Sequence, residues 1–417
     1  MWYNDLKRVK YIITGEKMAR KNGGKEQIAR ENEKRENYKD KIYRHKMSAV
    51  YRFLLVLAVV FVLGVIVYLQ YRNHVYTSYD TVSMSAIEIA EKAKAKQLGE
   101  NVLIYSSDGA HCVNAKGEIL WDQSFEMQNM IVATNGDAVA FGDHNGHEIY
   151  VLNSTQKICE IKTPMPIRGL AVAGNGRVAV DLADTKITWI YIYETDGTQL
   201  YEVRATMGQS GYPTAMAMSP NGELMGVAFT YVDSALVETR IAFYNFGAVG
   251  ANMTDYKVNA YTYKDAVVPH FRFLDGETAV AVADDRLIIY KGSQKPAEQA
   301  QHFIADEIQA VYQNNGYVGI VLRSDVLDMR YKVEVFNQKA EKEGTYYLNM
   351  DFDEIVFAED YFIAYNRKGC HIQTYKGLTK FDGDFLGAVE LMYPVGKGNG
   401  YKYVLVSKSS IDTIQLK

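Results

Sequence analysis

Two hydrophobic patterns divide the chain. The first is one uninterrupted apolar run, residues 53–69 (FLLVLAVVFVLGVIVYL), bounded by Arg52 and Arg72. The nineteen residues between those arginines approach the roughly 20 that a helix needs to cross the hydrocarbon core. A helix is required there, because lipid cannot satisfy free backbone groups. Tyr51, Tyr68 and Tyr71 flank the run, as in an interfacial aromatic belt. Residues 70–79 offer no small-x-small cleavage site and a long segment precedes the run, so an anchor is expected rather than a cleaved signal.

The second pattern fills the rest of the chain: short β-like runs punctuated by tight turns. The turns are Asn135-Gly136, Asn175-Gly176, Asn221-Gly222, Asp275-Gly276, Asn315-Gly316, Glu359-Asp360 and Asn399-Gly400, at spacings of 40, 46, 54, 40, 44 and 40. Asn-Gly and Asp-Gly favour tight hairpins because both central residues tolerate positive φ. One further turn, Gly99-Glu100, precedes the series and makes eight. A second element follows each turn at a similar distance, at 149–153, 190–194, 241–245, 287–291, 333–337, 372–376 and 411–415. Each unit therefore reads as two turn-linked strands, a third strand and a more variable outer one. Four strands in about 43 residues describe a propeller blade.

The fold class is accordingly all-β: an eight-bladed β-propeller preceded by one transmembrane helix and a basic tail. The last unit stops after its third strand, while residues 75–89 have β character and no place in the first unit. That segment is expected to supply the missing outer strand and close the ring, because an open ring leaves an unpaired edge at each end. Seven blades is the alternative count if residues 93–98 are not a strand, and a β-sandwich is the alternative fold.

Composition changes this picture in two respects. Overall net charge is −4, which argues against a nucleic-acid partner, but residues 1–52 carry fifteen Lys and Arg against seven Asp and Glu. Positive charge before the span, with only Arg72 soon after, places the N-terminus in the cytoplasm and the bulk of the chain outside. Residues 1–49 then form a cytoplasmic tail, 50–71 the span and 72–417 an extracytoplasmic propeller. Gly23 and Gly24 interrupt the mixed-charge tail, which is expected to be solvated and partly disordered; attachment to anionic lipid is the alternative. The three cysteines, Cys112, Cys159 and Cys370, cannot form a paired framework and are expected to be small core residues.

Candidate chemistry is sparse. Asp143, His144, His147 and Glu148 match a metal site in number alone, and are expected to form a polar turn around Asn145-Gly146. No GxSxG, P-loop, HExxH or EF-hand pattern appears. No catalytic group, metal or cofactor is assigned. Residues just ahead of each innermost strand should approach the central channel, and the polar ones are Asn129, Arg168, Thr214, His270, Gln309, Asp353 and Glu390, with Tyr212 nearby.

The stretch Asn114-Ala115-Lys116-Gly117-Glu118-Ile119-Leu120-Trp121 resembles one repeat of the quinoprotein (PQQ-like) propellers, in which Gly turns the chain and Trp packs between blades. Trp121 has no series of equivalents, since the other tryptophans are Trp2 and Trp189, and no quinone or calcium site accompanies it. The layout as a whole also resembles uncharacterised membrane-anchored propellers of clostridial-type Gram-positive bacteria, through the basic tail, the single span, Tyr76-Thr77-Ser78-Tyr79 and the stretch from Trp121 to Asn129. That resemblance implies a bacterial cell-envelope protein and brings no catalytic residues. The expected role is a non-catalytic binding or scaffold module with an envelope protein or glycan partner. A glycan-active enzyme using His270, Asp353 and Glu390, or a signalling or assembly component, are the alternatives.

Overall fold

The structure is a computed structural model describing residues 35–39, 41–43, 46–47, 50–71, 73–184, 187–206, 208, 210–233, 236–396 and 401–417. The chain divides into two compact units, Met1–His74 and Val75–Lys417. In the first, Val50–Tyr71 is a helix of 22 residues, long and apolar enough to cross a membrane, with no part of its apolar window buried by protein. Residues 35–39 and 41–43 are helical and exposed; the expectations for residues 1–34 lie outside the described residues.

The second unit is a propeller of eight four-stranded antiparallel sheets. Seven sheets use four consecutive strands. Blades 1 to 8 are numbered by their innermost strands in chain order, Lys94–Leu98, Met130–Asn135, Ile167–Val172, Tyr212–Met218, His270–Phe273, Ile308–Gln313, Glu354–Phe357 and Leu391–Pro394. The eighth combines Leu391–Pro394, Lys402–Val406 and Ser410–Leu416 with Tyr79–Ala86, which pairs from Tyr79↔Leu416 to Ala86↔Ser410. Residues that follow the helix thus become the outer strand of the last blade, as the unpaired β segment requires. The weakest unit is a genuine innermost strand, Lys94–Leu98, paired with Asn101–Ser106, so the count is eight and not seven.

The turns lie between the first and second strands of their blades. Gly99, Gly136, Gly176 and Gly222 adopt φ of 61°, 58°, 94° and 73°, a region in which a side chain is strained. Gly276 and Gly316 do not. Asp275 Oδ1 accepts the N–H groups of Glu277 and Thr278 at 2.8 and 2.7 Å, and Asn314 Oδ1 accepts those of Gly316 and Tyr317 at 2.8 and 2.7 Å. Those loops are closed by a side-chain acceptor without a left-handed glycine, whereas at Asn175-Gly176 and Asn221-Gly222 the acceptor and the left-handed glycine occur together. The Asn399-Gly400 turn lies outside the described residues.

Each interface between adjacent blades holds one cluster of buried apolar side chains. Alternation within a strand serves two interfaces at once: Val139 and Phe141 pack towards blade 1, Ala138 and Ala140 towards blade 3. Second strands such as Ala138–Asp143 and Thr278–Val282 are therefore almost wholly apolar, as strands buried on both faces must be. Close fit is visible at Gly226, where an added Cβ would collide with the Phe271 ring. Trp121 lies against the interface of blades 1 and 2 and donates from Nε1 to Asn153 O at 2.7 Å. Cys112 and Cys370 are buried and all three cysteines are free thiols; burial pushes the Cys112 thiol up to about 12.

Candidate functional site

Strands alternate in direction from the channel outward. Links from an outer strand to the next blade, and from second to third strands, therefore share one face, the loop face. The remaining hairpins share the other, the turn face. All eight residues singled out in the sequence fall at the loop-face ends of innermost strands. Asn129, Asp353 and Glu390 immediately precede theirs, while Tyr212 and His270 begin theirs.

Arg168, Thr214 and Gln309 share a further property. Ile167↔Leu182 is followed by Gly169↔Asp181, Pro213↔Phe229 by Ala215↔Ala228, and Ile308↔Leu322 by Ala310↔Val321. Each of the three is the extra residue of a β-bulge, a device that re-aims a side chain. Arg168 and Gln309 are exposed. Thr214 is exposed as well, but its Oγ1 lies 3.1 Å from Ala228 O and 3.2 Å from Val268 O, so that its one proton serves either carbonyl and links blade 4 to the approach to blade 5. Glu390 is paired with the Arg367 guanidinium. The Asp143–Glu148 segment is occupied by its own turn: Asp143 Oδ1 accepts Asn129 N–H at 2.6 Å, and His147 Nδ1 lies 2.9 Å from Thr163 O. Among the described residues no three His, Cys, Asp or Glu side chains converge as metal ligands.

Of the eight, His270 lines the central channel, which encloses a cavity of about 380 Å³. The sequence reading missed the charged residues around it: Lys96 of blade 1, Arg272 of blade 5 and Glu354 of blade 7. His270 Nε2 bonds Gln313 Oε1 at 2.5 Å, and burial lowers its pKa. Arg272 Nη1 reaches across the channel to Thr134 O of blade 2 at 3.5 Å. The Arg272 side chain is solvent-reachable along the channel yet walled by protein, and this confinement lowers its pKa. Lys96 is lowered by burial and then by repulsion from Arg272, with Glu354 pulling the other way. Tyr365 donates to Glu354 Oε2 at 3.2 Å, and burial, aided by the Glu354 charge, raises the phenols of Tyr105 and Tyr312. The available signal was a charge in the middle of a short innermost strand, as in KAKQL and HFRF.

A second anomaly lies beside the Arg168 bulge. Asp181, on the second strand of blade 3, is 7% exposed, and its Oδ1 has no hydrogen-bond partner. Burial pushes its carboxyl up to about 7, with the Arg168 charge opposing.

A family model described as a family of unknown function (DUF5711) matches residues 72–416. The chain belongs to DUF5711. The match spans the propeller and begins just past the helix. No protein of curated function matches the sequence. Among solved structures, this DUF5711 member is similar to Chaetomium thermophilum Sqt1 bound to the N-terminus of the ribosomal protein L10, at 12% identity over 82% of this chain and 100% of that one, with a TM-score of 0.50. BamB from Moraxella catarrhalis matches at 12% identity over 81% and 100% of the two chains, with a TM-score of 0.48. At such identity the Sqt1 likeness speaks for the fold alone.

Proposed function

We propose that this chain is a membrane-anchored, non-catalytic binding module of the bacterial cell envelope, with residues 1–49 cytoplasmic and the propeller outside, capturing an envelope protein on its loop face. The observation that carries this reading is the concentration of exposed apolar side chains on that face. Leu327, in the loop between the second and third strands of blade 6, is 87% exposed, and Leu386, ahead of blade 8, is 94% exposed. Tyr212 at the channel rim is 49% exposed. Exposed apolar residues sharing one face mark interaction surfaces, and that face also carries Tyr212 and Arg168, residue types that interfaces enrich. The uncovered apolar helix and the basic charge before it support the anchor and its orientation. The enzyme alternative is weakened because two of its three residues are engaged, Glu390 by Arg367 and His270 by Gln313.

The test is crosslinking on intact cells with a membrane-impermeant reagent, comparing wild type with a Tyr212→Ala/Leu327→Asp chain. A discrete crosslinked protein in wild type that disappears in the variant is the expected result. Crosslinks that persist unchanged in the variant exclude this face. No propeller labelling from outside excludes the orientation, and a glycan captured in place of a protein moves the partner to that class.

A further inference from the structure

The central channel holds more positive charge than it neutralises. Lys96 and Arg272 line one cavity, and neither forms an ion pair among the described residues. The Arg272 contact with Thr134 O, at 3.5 Å, lies beyond ordinary N–H···O distances. Glu354 is the carboxylate that lines the cavity, and it already accepts from Tyr365. Two cations lining one cavity against a single carboxylate leave it net positive, and a cleft lined by one sign of charge concentrates ions of the other. A carboxamide oxygen only accepts, so His270 donates to Gln313 from Nε2 and leaves the Gln313 amino group available to the cavity.

We infer that the channel binds a small molecule bearing an oxyanion, a carboxylate or phosphate group seated between Lys96 and Arg272. An arginine fork suits either geometry, because its paired N–H groups match two oxygens at once. The volume of about 380 Å³ limits the ligand to a small molecule, since ligand sites run from about 300 to 1,000 Å³. This site is independent of the partner surface on the loop face.

The experiment is calorimetric titration of the detergent-solubilised full chain with inorganic phosphate and, separately, with citrate, using chloride at matched ionic strength as reference. At least one oxyanion binds in the wild type more tightly than chloride, and which one does so separates free phosphate from an organic carboxylate. Arg272→Gln and Lys96→Gln each weaken it by about tenfold or more, the scale of one charge-assisted hydrogen bond. Lys116→Gln, an exposed turn residue, leaves it unchanged. Glu354→Gln tightens it several-fold by removing the opposing carboxylate, a gain that misfolding cannot imitate. Phosphate and citrate binding no better than chloride, or Glu354→Gln weakening the interaction, overturns the site.

Discussion

The two faces of the propeller are built on opposite principles. On the turn face, neighbouring blades are tied hairpin to hairpin. Asn175 Nδ2 donates to Asn221 O at 2.8 Å, Asn245 Nδ2 to Gln294 O at 2.9 Å, Asn314 Nδ2 to Ala358 O at 3.2 Å, and Gln338 Nε2 to Asp275 Oδ2 at 3.0 Å. The same asparagines also close their own loops, as Asn175 Oδ1 does for Arg177 N–H at 3.1 Å. On the loop face three innermost strands carry bulges at their first residues, and Leu327 and Leu386 project into solvent. The side-chain-stapled hairpins of the turn face hold blades 3 to 7 in register. The opposite face is then free to vary its loops without opening the sheets, which is where recognition is usually placed.

Breaking the stapled face is expected to have the largest effect. Asn175→Ala combined with Asn314→Ala removes bonds within and between hairpins at four blades, and about 2–5 kcal/mol of stability should be lost in urea unfolding. An unchanged midpoint means that the hairpin contacts are ornaments of already stable blades.

Asp181 sharpens the contrast, since it is a liability on the loop-face side of the core. By strand register it occupies the position held by Ala228 in blade 4 and Val321 in blade 6. Its folded pKa of about 7 lies above the unfolded value of roughly 3.9. Stability from this group is therefore complete below the unfolded pKa and is lost as pH rises towards 7. Asp181→Ala should stabilise the protein by about 1–3 kcal/mol at pH 8 and by much less at pH 4.5. Equal effects at both pH values mean that the carboxyl is ionised, and partnered, throughout.

The smallest effect is expected on the loop face itself. Leu327→Asp should shift stability by no more than about 0.5 kcal/mol, as surface changes away from packed features do. A larger loss means that Leu327 belongs to the core and not to a partner surface.

How much of this was legible in the chain depends on range. The turns at Asn135-Gly136 and Asn175-Gly176 announce themselves because a dipeptide that tolerates positive φ is a local signal. The same dipeptide at Asn315-Gly316 marks its turn correctly but misstates its mechanism, since the neighbouring Asn314 side chain does the closing. Arg168, Thr214 and Gln309 are legible as rim positions, yet nothing in their spelling marks them as the extra residues of bulges or places the Thr214 hydroxyl beside the Ala228 and Val268 carbonyls.

The chain by itself determined the apolar helix, the eight repeats and the strand that closes the last blade, because hydrophobic period, turn chemistry and the cost of an open edge act over a few residues or follow from counting. Only the tertiary structure decided what the channel contains. Lys96, Arg272 and Glu354 come from three blades spread along the chain, and although a charge inside KAKQL or HFRF is visible locally, nothing in either strand names its neighbours. Their charges meet because the ring closes and turns every innermost strand to one axis. Electrostatic neighbourhood at that axis is a property of the closed circle, and no window of sequence carries it.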